Sequence, residues 1–312
     1  MIDAGRSVVR TLPRLLETHG LLMHRRLLTL VLVLFASAAC ADPEPPAAET
    51  EESVTPSPRP DVLDLWERGV PAFGIFVPDE RPRGEDGEFE GPDRLFTEEG
   101  GARLAQNPLY DYLFLDLERE YDADVVRRIS QGLRSAEADE RTALLVRIPP
   151  LVDAGDEVTR ARIEEILDLG ADGVVLPHIR DVEEARRAAG FFEDAGADVW
   201  SPANPEGTTI AMFMLEDPDA VAQAGPIADL PGYSILACGI GSLTGALGGD
   251  REAAEEGTQH VLEEARRAGL PNMITANAEN VDQRIQQGFL ALLASGPQAD
   301  EVIEIGRAVS SR

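Results

Sequence analysis

Residues able to do chemistry recur in this 312-residue chain, each at the end of a short apolar run. Asp79 and Glu80 follow the first run, and Asp116, Glu118 and Arg119 close the second. Arg147 ends the third, His178 follows the fourth, Glu216 ends the fifth, Ser242 follows the sixth and Asn277 the seventh. Carboxylates gathered around one guanidinium suit a divalent cation that holds an oxyanionic small molecule. Hard oxygen donors take such a cation, and the planar guanidinium fork matches a carboxylate.

Such residues meet only if the runs are strands of one sheet. The apolar stretches at 72–77, 112–117, 143–148, 173–176, 209–215, 233–238, 272–275 and 289–293 are continuous rather than alternating, as parallel strands buried on both faces require. Amphipathic helices lie between them. The clearest covers 181–194, with Asp181 as N-cap and Val182, Ala185, Ala189 and Phe192 on one stripe. Ile163, Ile166 and Leu167 mark the helix before it, which Gly170 ends in a left-handed cap. Residues 61–312 make 252 positions, close to the ~250 of a (βα)₈ barrel. The expected fold class is therefore α/β, a (βα)₈ TIM barrel with its chemistry at the C-terminal strand tips. A doubly wound open sheet competes, but no Gly-x-Gly-x-x-Gly follows the first strand to favour it.

Composition removes several functions. All 28 basic residues are Arg, so the chain has no Lys for a Schiff base, a pyridoxal cofactor or a P-loop. With 57 acidic residues the formal charge is −29, which repels phosphate backbones; no nucleic-acid partner is expected. Cys40 and Cys238 are too few for a disulfide scaffold or a thiolate zinc site. Hydrophobic residues make up 43%, enough for a globular core.

The N-terminal segment reads as an address. Met23-His-Arg-Arg, an apolar run at 27–35 and Ala36-Ser-Ala-Ala-Cys40 make a secretory signal too short to span a bilayer. Cys40 after small residues looks like a lipoprotein lipobox, with Ser37 where Leu is usual. Residues 1–40 are thus expected to be a signal peptide and Cys40 the lipidated first residue, with simple secretion or a retained anchor as alternatives. Residues 1–22 fit no signal pattern, which points to Met23 as the true start. The Pro/Glu/Thr-rich stretch 41–60 is expected to be a disordered linker. The expected location is exported, periplasmic or at the cell surface, with the membrane reached only through a lipid anchor.

Taken in order, the tips resemble those of the HpcH/HpaI aldolase and citrate lyase family of metal-dependent barrel lyases, over about residues 62–296. The matching stretches are Tyr-Leu-Phe-Leu-Asp116-Leu-Glu118, Leu-Leu-Val-Arg147-Ile-Pro, and Gly-Ala-Asp-Gly-Val-Val-Leu-Pro177-His178. Phe-Met-Leu-Glu216, Leu-Pro231-Gly232-Tyr, Gly239-Ile-Gly-Ser242-Leu-Thr and Thr-Ala-Asn277 continue the series. The resemblance implies a phosphoenolpyruvate/pyruvate-binding type of barrel. In that family a divalent metal (Mg²⁺ or Mn²⁺ type) chelates pyruvate or a related 2-oxo acid and stabilises its enolate for aldol cleavage or addition. By position Glu216 becomes a metal ligand, Arg147 the residue that holds the oxo acid, and Asp116 a residue that orients its neighbours. The partner implied is a small 2-oxo acid or other carboxylate, and a homo-oligomer is implied by the hexamers common in the family.

Three departures from the family pattern carry physical consequences. Ser242 stands where the second metal-binding Asp is usual, which removes one negative charge and weakens metal binding. Arg119 stands where many members place a His base, and Arg cannot accept a proton near neutral pH. The Arg-Gly-rich stretch before strand five is cut to Trp200-Ser-Pro-Ala-Asn-Pro-Glu-Gly-Thr. Glu118 or Asp250 could supply the missing acid, and His178 is either a second base or a hydrogen-bonded cap at a strand end. The expected activity is metal-dependent carbon–carbon lyase chemistry on a 2-oxo acid. The alternative is a weakened barrel that binds a small carboxylate without turnover, and a CoA-thioester lyase has no nucleotide-pocket feature to support it. Cys238, His260 and Trp66 read as a buried hydrophobe, a surface residue and a packing residue, and 78–93 as a solvated acidic loop.

Overall fold

The structure, a computed structural model, describes residues 59–84, 87–136 and 141–312. The signal segment, Cys40 and nearly all of the linker lie outside the described residues. Eight strands form where the apolar runs stand: β1 Ala72–Phe76, β2 Tyr112–Asp116, β3 Ala143–Arg147, β4 Gly173–Leu176, β5 Ile210–Leu215, β6 Ile235–Cys238, β7 Asn272–Thr275 and β8 Ala291–Ala294. Every neighbouring pair is parallel, in chain order, and β8 closes onto β1. The fold is the expected (βα)₈ barrel and not its competitor, the open doubly wound sheet.

Side chains alternate across each strand, so one parity fills the barrel and the other meets the helices. Tyr112 and Phe114, Ala143 and Leu145, Met212 and Met214, and Ile235 and Ala237 share the inner core. Leu113, Leu115, Leu144, Val146, Phe213 and Leu236 belong to the outer layer under the helices. Continuing the inner parity toward the C-terminal ends of the strands reaches Asp116, Arg147, Glu216 and Gly239. The register pairs Asp116 with Arg147 across β2 and β3, and Leu215 with Cys238 one step before Glu216 and Gly239. Gly74 is an inner position with no room for a side chain, since a Cβ there would overlap the Tyr112 ring.

The opposite end is closed by the helix Asp61–Glu67, whose Val62, Leu63 and Trp66 join the inner core. Trp66 Nε1 donates to Leu290 O at 2.8 Å, and its ring lies 6.0 Å from that of Trp200, so Trp66 is a packing residue as expected. The helix Val182–Asp194 starts at Asp181, whose side chain accepts from Glu184 N. Ala185 and Phe192 of the expected stripe are buried together with Ala188 and Phe191, Val182 and Ala189 pack half-buried against the same core, and the buried Glu184 accepts from Arg180. Gly170 takes φ 89° after the preceding helix, as its left-handed cap position predicts.

Two buried aspartates hold the N-terminal ends of the strands. Asp111 accepts from Phe73 N at 2.7 Å and pairs with Arg307 at 3.0 Å and Arg312 at 2.7 Å, which ties β1 and β2 to the C-terminal residues. Asp172 accepts from Leu144 N at 2.8 Å and pairs with Arg134 and Arg141. Removing one partner of such a buried cluster leaves uncompensated charge. Asp111→Asn is therefore expected to destabilise the barrel by about 3 kcal/mol or more, read as a lowered urea midpoint. An unchanged midpoint would mean that the two arginines are held without it.

Candidate functional site

Five side chains converge at the C-terminal mouth. Arg147 Nε donates to Asp116 Oδ1 at 2.9 Å, and its Nη2 lies 2.8 Å from Glu118 Oε2. His178 Nε2 lies 3.0 Å from Glu118 Oε1, and its Nδ1 is 3.6 Å from Glu216 Oε2. The chain of contacts runs from Asp116 through Arg147, Glu118 and His178 to Glu216, crossing from β2 to β5.

Glu216 is the innermost member, with its side chain 1% exposed. It accepts a hydrogen bond from the His178 amide at 3.1 Å. His178 makes that bond with φ 53°, a left-handed conformation uncommon among non-glycine residues, although His enters it more readily than most. On the other side stands Gly239, where a Cβ would collide with Glu216 Oε1. Two local backbone choices thus serve one carboxylate.

Charge coupling shifts the other members. The hydrogen bond to Glu118 raises His178 above its ordinary 6.5, with the charge of Glu216 adding to it and partial burial opposing. The hydrogen bond from His178 and the charge of Arg147 hold Glu118 below the usual carboxylate range. Burial pushes Asp116 up, but its hydrogen bond and Coulomb attraction to Arg147 outweigh it and hold the carboxyl low. Burial opposes the Arg147 charge, and the two carboxylates overcome it.

Glu118, His178 and Glu216 offer three donor atoms within 4.8 Å of one another. Two carboxylates and an imidazole are a donor set that suits Mg²⁺ or Mn²⁺. Glu216 is buried beside a single amide, and such a carboxylate is stabilised by a positive charge set against it. The residues present therefore fit a divalent cation.

The mouth opens into a depression of about 730 Å³ lined by Glu118, Arg119, Val152, His178, Arg180 and Ser242, among others. Arg119 and Ser242 are both exposed and lie on its wall, outside the five-residue chain of contacts. Asp153, in the short helix Leu151–Ala154 after β3, and Arg180, in the connection after β4, line the same wall and were not among the expected site residues, since no motif in the sequence marks them. Asp217, which also lines it, caps the short helix Pro218–Val221 through Asp219 N and Ala220 N. Asp79 and Glu80 are engaged elsewhere, by Arg81 and by Thr97 and Arg103. Cys238 is buried, its thiol pushed up to about 11 mainly by burial, and His260 is exposed, both as expected.

A sequence model of the family described as HpcH/HpaI aldolase/citrate lyase matches residues 102–298. The chain belongs to the HpcH/HpaI aldolase/citrate lyase family. The 4-hydroxy-4-methyl-2-oxoglutarate aldolase tasA of Hapsidospora irregularis is 25% identical over 174 residues, which is 50% of this chain and 61% of that protein. The chain thus matches less than two thirds of that relative's length. Among solved structures, an HpcH/HpaI aldolase/citrate lyase family protein of Burkholderia cenocepacia aligns with a TM-score of 0.60 at 18% identity, over 81% of this chain and 98% of the other. The citrate synthase SbnG aligns with a TM-score of 0.57 at 17% identity, over 80% and 96%. These likenesses establish the barrel. Family members include aldolases and lyases.

The Glu118–His178 pair has a defined pH window in metal-free protein. A raised His value contributes stability that is complete below 6.5 and is lost as pH rises through the raised folded value. A lowered Glu value contributes stability above its ordinary range that is lost as pH falls through the lowered value. By NMR titration His178 is expected to titrate above 6.5 and to fall toward 6.5 in Glu118→Gln, with His178→Gln assigning the resonance. A His178 that titrates below 6.5 in the unsubstituted protein would refute the pairing.

Proposed function

We propose that this family member is a divalent-metal-dependent carbon–carbon lyase that cleaves or forms an aldol bond next to a 2-oxo acid. The observation that carries the reading is the grouping of Glu118, His178 and Glu216 donor atoms within 4.8 Å, beside an inward Arg147. Glu216, with Glu118 and His178, is the ligand set these residues offer, and water or the Ser242 hydroxyl completes it. When bound, the cation supplies Lewis acidity to the 2-oxo group.

The remaining work falls to the chain's own side chains. Arg147 holds the carboxylate of the oxo acid and places a positive charge where the enolate oxygen develops. Asp116 fixes the guanidinium from behind through its 2.9 Å bond. In the cleavage direction the C4 hydroxyl must lose a proton, the C3–C4 bond breaks, and C3 must gain a proton. Glu118 and His178, 3.0 Å apart, form a pair that can hold a proton at Nε2 or pass it on. Arg119 takes no part in that transfer, because it stays charged at any working pH.

A second reading is a barrel that binds a small carboxylate without turnover. Ser242 favours it, since an exposed hydroxyl replaces a ligating carboxylate. Release of pyruvate from 4-hydroxy-2-oxo acids in the presence of Mn²⁺ separates the two. The lyase reading predicts turnover that a chelator abolishes and that Glu216→Gln lowers by about 10² or more in kcat/KM. Turnover indifferent to the chelator and to Glu216 would overturn it, and no turnover on any such acid would favour the second reading.

A further inference from the structure

We infer that His178 Nδ1 holds the cation together with Glu216, in place of the carboxylate that Ser242 lacks. Glu118 then orients the imidazole and does not itself bind metal. The inference rests on the proposed metal-dependent chemistry and deepens it by assigning the atoms that hold the cation.

A single buried carboxylate is a poor cation site, so Glu216 needs a second strong donor. Ser242 is badly placed to be one. It is exposed in the helix Ile240–Ala246, and its neutral hydroxyl stands outside the chain of contacts that ends at Glu216. His178, by contrast, addresses Glu216 twice. Its amide donates to Oε2 at 3.1 Å, and its Nδ1 lies 3.6 Å from the same oxygen. The second separation is too long for a hydrogen bond. Nδ1 and the carboxylate therefore stand side by side without a bond between them, as two ligand atoms that a cation can join.

The other ring nitrogen is already engaged. Nε2 lies 3.0 Å from Glu118 Oε1, while Glu118 Oε2 lies 2.8 Å from Arg147 Nη2. A carboxylate at Nε2 keeps the ring proton there and leaves the lone pair on Nδ1, the nitrogen nearer Glu216. Glu118 would bind a cation only by releasing Arg147 or the imidazole. It serves instead as the carboxylate that backs a ligating histidine. A ligating imidazole is neutral, so any proton on Nδ1 leaves to solvent as the cation enters. The ligand pair then joins β5 to the connection after β4, whereas a carboxylate at position 242 would have joined β5 to the helix after β6.

Pulsed electron paramagnetic resonance of Mn²⁺ bound to the full chain tests this without turnover, because a coordinated imidazole nitrogen modulates the signal. The histidines are His19, His24, His178 and His260, and only His178 lines the mouth among the described residues. Nitrogen modulation is expected, and labelling the histidines with ¹⁵N should change it. It should vanish in His178→Asn, since Asn also enters left-handed backbone but carries no ring nitrogen. The same variant should weaken Mn²⁺ binding by roughly tenfold or more. Glu118→Ala should cost about tenfold to a hundredfold, and Glu118→Gln, which keeps an acceptor for Nε2, should cost less and retain the nitrogen signal. Equal loss in the two Glu118 variants would overturn the role given to Glu118. Mn²⁺ that depends on Glu216 yet shows no histidine nitrogen, or a nitrogen signal that survives His178→Asn, would overturn the inference and leave the lyase reading standing. No Mn²⁺ binding, even with oxalate present, would overturn both.

Discussion

The mouth of this barrel is organised around a single buried carboxylate. Glu216 ends β5 at an inner position, where it has lost its water and gained one backbone amide in return. Its neighbours have adapted to keep it there. Gly239 gives up a side chain that would occupy the same space, and His178 accepts a left-handed backbone so that its amide can point inward. The imidazole that follows from that conformation then reaches Glu118, and Glu118 in turn reaches Arg147. The chain of contacts thus starts from where one carboxylate was placed, and a divalent cation is the partner that would balance it.

The two ends of the barrel use the same residue types for different purposes. At the N-terminal end Asp111 and Asp172 are surrounded by arginines and by strand amides, so every charge is matched and the result is rigidity. At the C-terminal end carboxylates outnumber their partners around Glu216. Matched charge reads as structure and mismatched charge as a place for a ligand. With no lysine in the chain, the ion pairs not made by histidine are made by planar guanidiniums, which favour paired, directional bonds over diffuse attraction.

Much of this was legible before any coordinates. Eight continuous apolar runs determine eight buried parallel strands, and the inward residues that end them name Asp116, Arg147 and Glu216, while His178, two residues past β4, turns to the mouth through its left-handed backbone. Strand ends were less legible: the runs at 233–238 and 289–293 begin earlier than β6 and β8, since apolar residues also serve in the loops that enter a barrel. What the sequence could not supply were contacts between strands. Arg147 pairs with both Asp116 and Glu118, the first set by the register of β2 and β3. The Glu118–His178 pair joins residues 60 positions apart, and the wall residues Asp153 and Arg180 lie in a one-turn helix and a short connection too brief to show periodicity. Glycines are the same kind of case, for the reason behind Gly239 lies in the side chain of another strand.

The central claim is that Glu216 holds a cation at which a 2-oxo acid binds. Calorimetric titration of Mn²⁺ into the full chain, with and without oxalate as a mimic of the pyruvate enolate, tests it most directly. The account predicts saturable Mn²⁺ binding that oxalate strengthens and that Glu216→Ala abolishes in a protein that still folds. Binding of equal strength in Glu216→Ala, or none in the unsubstituted chain with oxalate present, would contradict it.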